Sequence, residues 1–371
     1  MFHDSCFMFY DSSVQHQPPT QGTILDTVIA LDVGHSAVKV VVDSALLPQG
    51  RHSLLFPSVA NSAIELSEPK AREAAARETV NVDGRSFFFG ETAVTQGTSD
   101  SESGLSDNWI TTPQYAALAL GAFQKLRQMP TPVSTDGAIV VVGLPAKFFA
   151  QQKPTLQAIM QKLAPHALIV VLPQPMGPFM CVQFNDDGTE SRNHKMSSES
   201  WGIIEIGHYT TDFGVVREGN WIDKNSGSCR GGHVLVDQVV ARVREERGYT
   251  LSLIEATKAV CDGWFKDYGS RIPVEPYISS SAAILTDEVM DTVSRLLDKD
   301  ARTLDGIVVA GGAAPLLYPV IHARYQHAVM AENSRMTVAE GFCRFGCALR
   351  NDRKVQRNRA AQAAPVAPVA A

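Results

Sequence analysis

The residue types best suited to chemistry cluster between Trp201 and Val216, in Trp-Gly-Ile-Ile-Glu-Ile-Gly-His-Tyr-Thr-Thr-Asp-Phe-Gly-Val-Val. An apolar run carrying one carboxylate, Glu205, breaks at Gly207. The hydroxyls of Thr210 and Thr211 follow with Asp212, and a second apolar run begins. Two β-rich runs around a short glycine-bearing turn predict a hairpin. Small hydroxylated residues beside a glycine suit a turn whose N–H groups and hydroxyls face an anion. A carboxylate just ahead of such a turn suits a hydrated Mg²⁺ or an oriented water. An ordinary core hairpin with a polar turn fits the same residues, so a second copy of the pattern is needed to separate the readings.

That copy lies near the N-terminus. Thr27 to Asp43 is again apolar strand, carboxylate (Asp32), Gly34, hydroxyl (Ser36) and apolar strand, with Lys39 early in the second run. A lysine among valines is expected on the solvated face of an alternating strand, and it equally suits a point-charge contact to a phosphate. A third strand end, Val309-Ala-Gly311-Gly312-Ala, carries a glycine pair. One hairpin per half suggests two related halves facing a cleft. A nucleotide would lie between them, its phosphates at the paired hairpins and its adenosine against Gly311-Gly312, where a Cβ would hold the backbone away from sugar and base.

The elements that must position these residues are legible in outline. Asp83-Gly84 reads as the turn of a hairpin over 79–90. Residues 112–126 have helical apolar spacing with Thr112 as cap and Pro113 in the first turn. The fully apolar stretch 137–145 suits a buried parallel strand. A helix over 148–163 and a strand over 167–172 follow, ending at Gln174 between two prolines. Helices are expected over 234–247, 252–265, 286–299, 316–325 and 338–349, with a buried strand ahead of Gly311. Residues 50–110 read as a small inserted subdomain and 185–200 as the domain boundary. This gives domains over 23–195 and 196–349, with flexible tails at 1–22 and 350–371.

Composition narrows the function. The 371 residues include 44% hydrophobic and 19% charged side chains with a net charge of −6. That is enough chain for two domains and gives no sign of direct nucleic-acid binding. No apolar run approaches the roughly 20 residues of a membrane span, and the N-terminus lacks the cationic start of a secretory signal. Six scattered cysteines without a C-x-x-C pair suggest reduced thiols and a cytoplasmic protein. Cys343 and Cys347, four apart, would share a helix face as small buried hydrophobes.

With its three glycine-bearing strand ends in this order, the chain resembles the actin-like ATPases, and Gly207-x-x-Thr-Thr-Asp212 with Gly143-Leu-Pro145 looks most like the ParM/StbA plasmid-segregation branch. The resemblance implies an α/β fold of duplicated, ribonuclease H-like domains around a nucleotide cleft, binding ATP and Mg²⁺. It implies that Asp32 and Glu205 serve the metal, Asp32 through water, and that Lys39 contacts the β- and γ-phosphates. Gly34 and Ser36 would line the first phosphate loop, Gly207, Thr210 and Thr211 the second, and Gly311 and Gly312 the adenosine. Gln174 would orient the attacking water, a positioning task suited to phosphoryl transfer. Ala339 and Gly341 would form a hinge where helices approach closely. The chain departs from the pattern at Glu205, where the family usually has the shorter aspartate. The extra methylene moves the carboxylate outward by about 1.5 Å. His208 and Tyr209 also replace smaller residues and are read as packing around the turn.

Three functions fit. The first is an ATP-driven, head-to-tail filament that segregates plasmids through a DNA-binding adaptor. The second is a small-metabolite kinase of the same fold, and the third a slowly hydrolysing ATP-binding cytoskeletal scaffold.

Overall fold

The computed structural model describes residues 26–97, 106–195 and 197–363, with side chains to residue 356. The tail expected over 1–22 therefore lies outside the described residues. In chain order the first half comprises β1 (Thr27–Val33), β2 (Ala37–Ser44), β3 (Arg51–Pro57), β4 (Ala60–Ser62), α1 (Pro69–Ala76), β5 (Thr79–Val82), β6 (Arg85–Phe89), α2 (Gly90–Gln96), α3 (Pro113–Arg127), β7 (Ile139–Leu144), α4 (Ala146–Leu163), β8 (Leu168–Pro173) and α5 (Met176–Gln183). The second comprises β9 (Ser200–Ile206), β10 (Thr210–Arg217), β11 (Asn220–Trp221), β12 (Gly227–Arg230), α6 (His233–Arg247), α7 (Leu253–Asp262), β13 (Trp264–Asp267), β14 (Ser270–Pro273), α8 (Glu275–Ala301), β15 (Gly306–Ala310), α9 (Ala314–Arg324), β16 (Ala328–Met330) and α10 (Thr337–Ala363).

Two sheets repeat one topology. The first runs β3-β2-β1-β7-β8, with β1–β2 antiparallel and β1, β7 and β8 parallel. The second runs β11-β10-β9-β15-β16, with β9–β10 antiparallel and β9, β15 and β16 parallel. The central strands β1, β7, β8 and β15 are apolar on both faces because helices cover both. Each repeat also carries an insert, the three-stranded sheet β4-β6-β5 in the first and α7 with the β13–β14 hairpin in the second.

One hydrophobic cluster joins the repeats. It brings Val28, Val141 and Val170 of the first sheet together with Trp201, Ile203 and Val308 of the second, through Met180 of α5 and Phe342 of α10. The helices α5 and α10 meet at glycines, and a Cβ on Gly341 would stand 1.8 Å from the carbonyl oxygen of Gly177. Ala339 beside it is fully buried. Small residues therefore permit this helix contact, as the sequence implied.

Several boundaries differ from expectation. The final helix does not stop at Leu349 but runs to Ala363. Arg350 pairs with Asp43 at 2.6 Å and Lys354 with Asp26 at 2.7 Å, so part of the basic run expected as a tail holds the helix against the start of the first sheet. Helix α8 begins at Glu275, eleven residues earlier than the spacing indicates, because Pro276 occupies a first-turn position where its missing N–H costs nothing. Residues 264–273, partly assigned to a helix, form the β13–β14 hairpin. Helix α5 follows directly where the sequence shows only a proline-punctuated strand end.

Candidate functional site

The two repeats bring their hairpin turns face to face. Asp32, Gly34, Ser36, Lys39, Gln174, Glu205, Gly207 and Thr210, eight residues named from sequence, line one small cavity of about 60 Å³. Gly143, Leu144 and Pro145, at the end of β7, close its side.

In the first loop, register places Asp32 opposite Lys39 across β1–β2. The lysine Nζ donates to Asp32 Oδ2 at 2.7 Å, and Gln174 Nε2 donates to Oδ1 at 3.0 Å. Lys39 is thus a largely buried partner of a carboxylate that is 2% exposed, not a solvated strand lysine. The loop is braced from outside. Ser58 Oγ donates to the Gly34 carbonyl at 2.5 Å and Trp109 Nε1 donates to the Val33 carbonyl at 3.2 Å.

In the second loop, register places Glu205 opposite Asp212 across β9–β10. Both are buried. Burial, then the charge of Asp212, holds the Glu205 carboxyl well above the usual range, against the opposing pull of Lys39. Burial also raises Asp212, opposed by hydrogen bonds from Ser228, Thr210 and the Ala146 amide. That amide donates to Asp212 Oδ1 at 2.8 Å and begins α4, so a side chain of the second repeat caps a helix of the first. Sequence reading gave Asp212 no such role.

Strand alternation corrects one assignment. Successive residues of β10 point to opposite faces, so Thr210 shares a face with Asp212 and donates to its Oδ2 at 2.7 Å. Thr211 points away, fully buried, and its hydroxyl donates to the Arg230 carbonyl at 2.9 Å. Thr211 is not a phosphate-facing hydroxyl.

The glycine pair is placed by the second loop. Gly311 has φ +98°, and a Cβ there would stand 2.3 Å from the Ile206 carbonyl oxygen. Only glycine fits that close approach to the end of β9. A Cβ on Gly312 would meet nothing within 4 Å. Neither glycine lines the small cavity or the larger one that adjoins it. That larger cavity, of about 380 Å³, shares His35, Ser36 and His208 with the small one. Its walls include Phe56 and Val59 of the first repeat and Val236, Asp237, Leu253 and Arg335 of the second. Sequence reading missed His35, Asp237 and Arg335. His208 and Tyr209, assigned to packing, also line the small cavity.

The donor set fits a hydrated Mg²⁺. Asp32 and Glu205 line one cavity from opposite repeats, and a dication between them would offset the burial of both carboxylates. Mg²⁺ is characteristically held by one or two carboxylates, waters and substrate phosphates. Among the described residues no group of three or more histidine, cysteine or carboxylate side chains forms a self-sufficient metal site.

Two duplicated sheets closing their hairpin turns on a shared cavity define an actin-like fold. Residues 30–177 match the family described as actin like proteins N terminal domain. The chain accordingly has an actin-like fold, and ParM structures are among those it is similar to. It is similar to a 15-stranded ParM filament structure from Clostridium botulinum, at a TM-score of 0.68 and 18% identity over 86% of this chain and 99% of that one. It is similar to the archaeal actin homolog Ta0583 in complex with ADP, at 0.61 and 14% identity over 88% and 99%. A MamK double helical filament gives 0.60 and 16% identity over 91% and 99%. No curated protein sequence matches the chain. Among the described residues, no helix is long and apolar enough to cross a membrane.

Proposed function

We propose that the chain is a cytoplasmic, Mg²⁺-dependent ATPase that polymerises head to tail on binding ATP and drives plasmid segregation through a DNA-binding adaptor. The observation that carries the nucleotide reading is the convergence of Asp32, Lys39, Gln174 and Glu205 from both repeats on one buried cavity beside a larger, mostly apolar one. The first would take the phosphate end of a nucleotide, and the second is large enough for the base and its sugar. Ta0583 is named as an ADP complex, which supports the same occupant in this chain. The ParM and MamK neighbours are named as filaments, which supports self-assembly.

Within this reading each residue has a distinct task. Lys39 binds the β- and γ-phosphates as a point charge. The backbone of the Gly34–Ser36 and Gly207–Thr210 turns, with the Ser36 and Thr210 hydroxyls, surrounds the phosphate oxygens. Asp32 and Glu205 would hold the metal and its waters, and the metal when bound would supply charge neutralisation at the phosphates. Gln174, anchored through Asp32, orients the attacking water without acting as a strong base. Gly311 brings the backbone against the end of β9 beside the second loop, and neither it nor Gly312 lines the larger cavity in which the base and sugar would rest. The Gly177–Gly341 contact is the hinge about which the repeats close.

The test is sedimentation and electron microscopy with ATP, ADP or no nucleotide, alongside phosphate release. Filaments that form with ATP and carry phosphate release support the reading. A monomer whose ATPase is stimulated by a small metabolite makes it a kinase instead. Gln174→Ala is expected to slow phosphate release by about 10²-fold, the scale of losing one positioned group, while nucleotide affinity changes little. Equal loss of both removes Gln174 from the water-orienting role. The one observation favouring a slow scaffold is Glu205, whose raised pKa and longer side chain both weaken a metal ligand.

A further inference from the structure

Each loop carries a histidine directly after its glycine, Gly34-His35 and Gly207-His208, at corresponding positions of the two repeats. His35 and His208 both line the small cavity, and both also line the larger one with which it is continuous. A third imidazole, His233, stands at the start of α6, its ring centroid 6.5 Å from that of His208. This start is fastened to the second loop, since the backbone N–H groups of Gly231, Gly232 and His233 donate to the carbonyls of Tyr209, Gly207 and His208. His233 Nδ1 also lies 3.2 Å from the His208 carbonyl oxygen.

Ordinary packing does not explain the trio well. His35 is held between aromatic rings, 5.1 Å from Trp109 and 4.5 Å from Tyr209. The Ser106 backbone engages the ring, yet its Nε2 is buried without a hydrogen-bond partner. A buried polar atom left unpaired costs stability, and a core position could be filled by an apolar ring at lower cost. Burial lowers His35 to about 4, with His233 adding to the effect. Burial lowers His208 to about 3, with His35, His233 and Lys39 adding to it. An imidazole depressed by two other imidazoles and a lysine marks a place where added negative charge is welcome. The groups facing them are Asp32 and Lys39 of the first hairpin, Asp107 and Tyr209 across the cleft mouth, and His233.

We propose that His35 and His208 form a paired imidazole clamp on the terminal phosphate of the bound nucleotide, one ring from each repeat, so that the site reads the presence of a third phosphate. The clamp rests on the nucleotide reading above and deepens it. Lys39 and the loop backbones serve more than one phosphate, whereas the two rings line the small cavity from opposite repeats, where the chain of phosphates would end. A terminal phosphate bridges them and draws the repeats together, and a diphosphate leaves them unbridged.

The test measures, by calorimetry with Mg²⁺, the affinities of ADP and of a non-hydrolysable ATP analogue for the full chain and for His35→Ala, His208→Ala, His35→Asn and His208→Asn. Each alanine variant is expected to bind the triphosphate about 10-fold or more weakly, the scale of one charge-assisted hydrogen bond, while ADP affinity stays within about twofold. The asparagine variants, which keep a donor, are expected to recover part of the loss. Retained ADP binding shows that the variants are folded. Equal weakening of both nucleotides, or no weakening of either, overturns the clamp and leaves the nucleotide site standing. A native chain that binds neither nucleotide overturns the nucleotide reading and the clamp with it.

Discussion

The two loops share a topology and differ in charge. In β1–β2 the residue opposite the carboxylate is Lys39, and the pair is closed at 2.7 Å. In β9–β10 the residue opposite the carboxylate is Asp212, and burial with the charge of Asp212 pushes Glu205 toward the protonated form. One hairpin is thus neutralised by its own chain and the other is not. Under the proposed function Lys39 would turn from Asp32 to a phosphate while Gln174 still holds Asp32. The second hairpin holds two buried acids with no cationic cross-strand partner, which a metal would relieve under the proposed function. A duplicated fold can therefore supply complementary halves of a metal–phosphate site by changing one cross-strand partner.

The largest way to break this contrast is Lys39→Ala. It strands a carboxylate that is 2% exposed, and loss of one partner of a buried pair costs about 3 kcal/mol. Denaturant unfolding is expected to show that loss, and ATP affinity to fall by about 100-fold or more. Unchanged stability would mean that the Asp32–Lys39 pair matters little in solution.

Glu205→Gln works in the opposite direction. An acid whose folded pKa is raised lowers stability once pH exceeds its unfolded value, since only the unfolded state ionises freely. The amide removes that penalty, so without ligand the variant is expected to melt higher, by about 2–4 °C for each kcal/mol recovered. Mg²⁺ should then no longer strengthen ATP binding. A lower melting temperature would show that Glu205 is ionised and usefully paired.

The smallest effect is in pH. His35 and His208 have folded pKa values of about 4 and about 3, below the ordinary 6.5. Between about 6.5 and 4 the unfolded state binds more protons, so stability falls as pH falls through that window. Chemical denaturation at pH 7 and pH 5 without nucleotide should show the loss, and the doubly substituted His35→Asn, His208→Asn protein should show less of it. An equal pH slope in both proteins would mean the imidazoles are exposed and ordinary.

Much of the fold was legible where one local signal dominated. Asp83 and Gly84 both have positive φ, as the Asp-Gly turn required. Thr112 caps α3 by accepting from the Tyr115 amide. The apolar β7 is buried between parallel neighbours. Misses came where tertiary contacts overrode composition. β3 has only one buried residue, Phe56, and takes its place by pairing with β2 along its whole length. α10 passes its expected end because cross-chain ion pairs hold Arg350 and Lys354.

The candidate site was legible as a set because glycine, hydroxyl and carboxylate recur at one spacing. Orientation was harder to read. Thr210 and Thr211 look equivalent as letters, but strand alternation gives them opposite faces. Asp212 was visible in the motif, yet its cap on α4 depends on a contact 66 residues distant in sequence. His35 and His208 each follow a loop glycine in the sequence but were given no joint role there, and their nearness to His233 depends on how α6 docks.

The most direct test of the central claim is calorimetric titration of ATP into the full chain with and without Mg²⁺, repeated for Lys39→Ala and Glu205→Ala. If the two loops are halves of one metal–phosphate site, one ATP binds per chain, Mg²⁺ strengthens binding, and each variant loses most of that affinity. ATP binding that persists undiminished in both variants, or that ignores Mg²⁺ in the native chain, would contradict it.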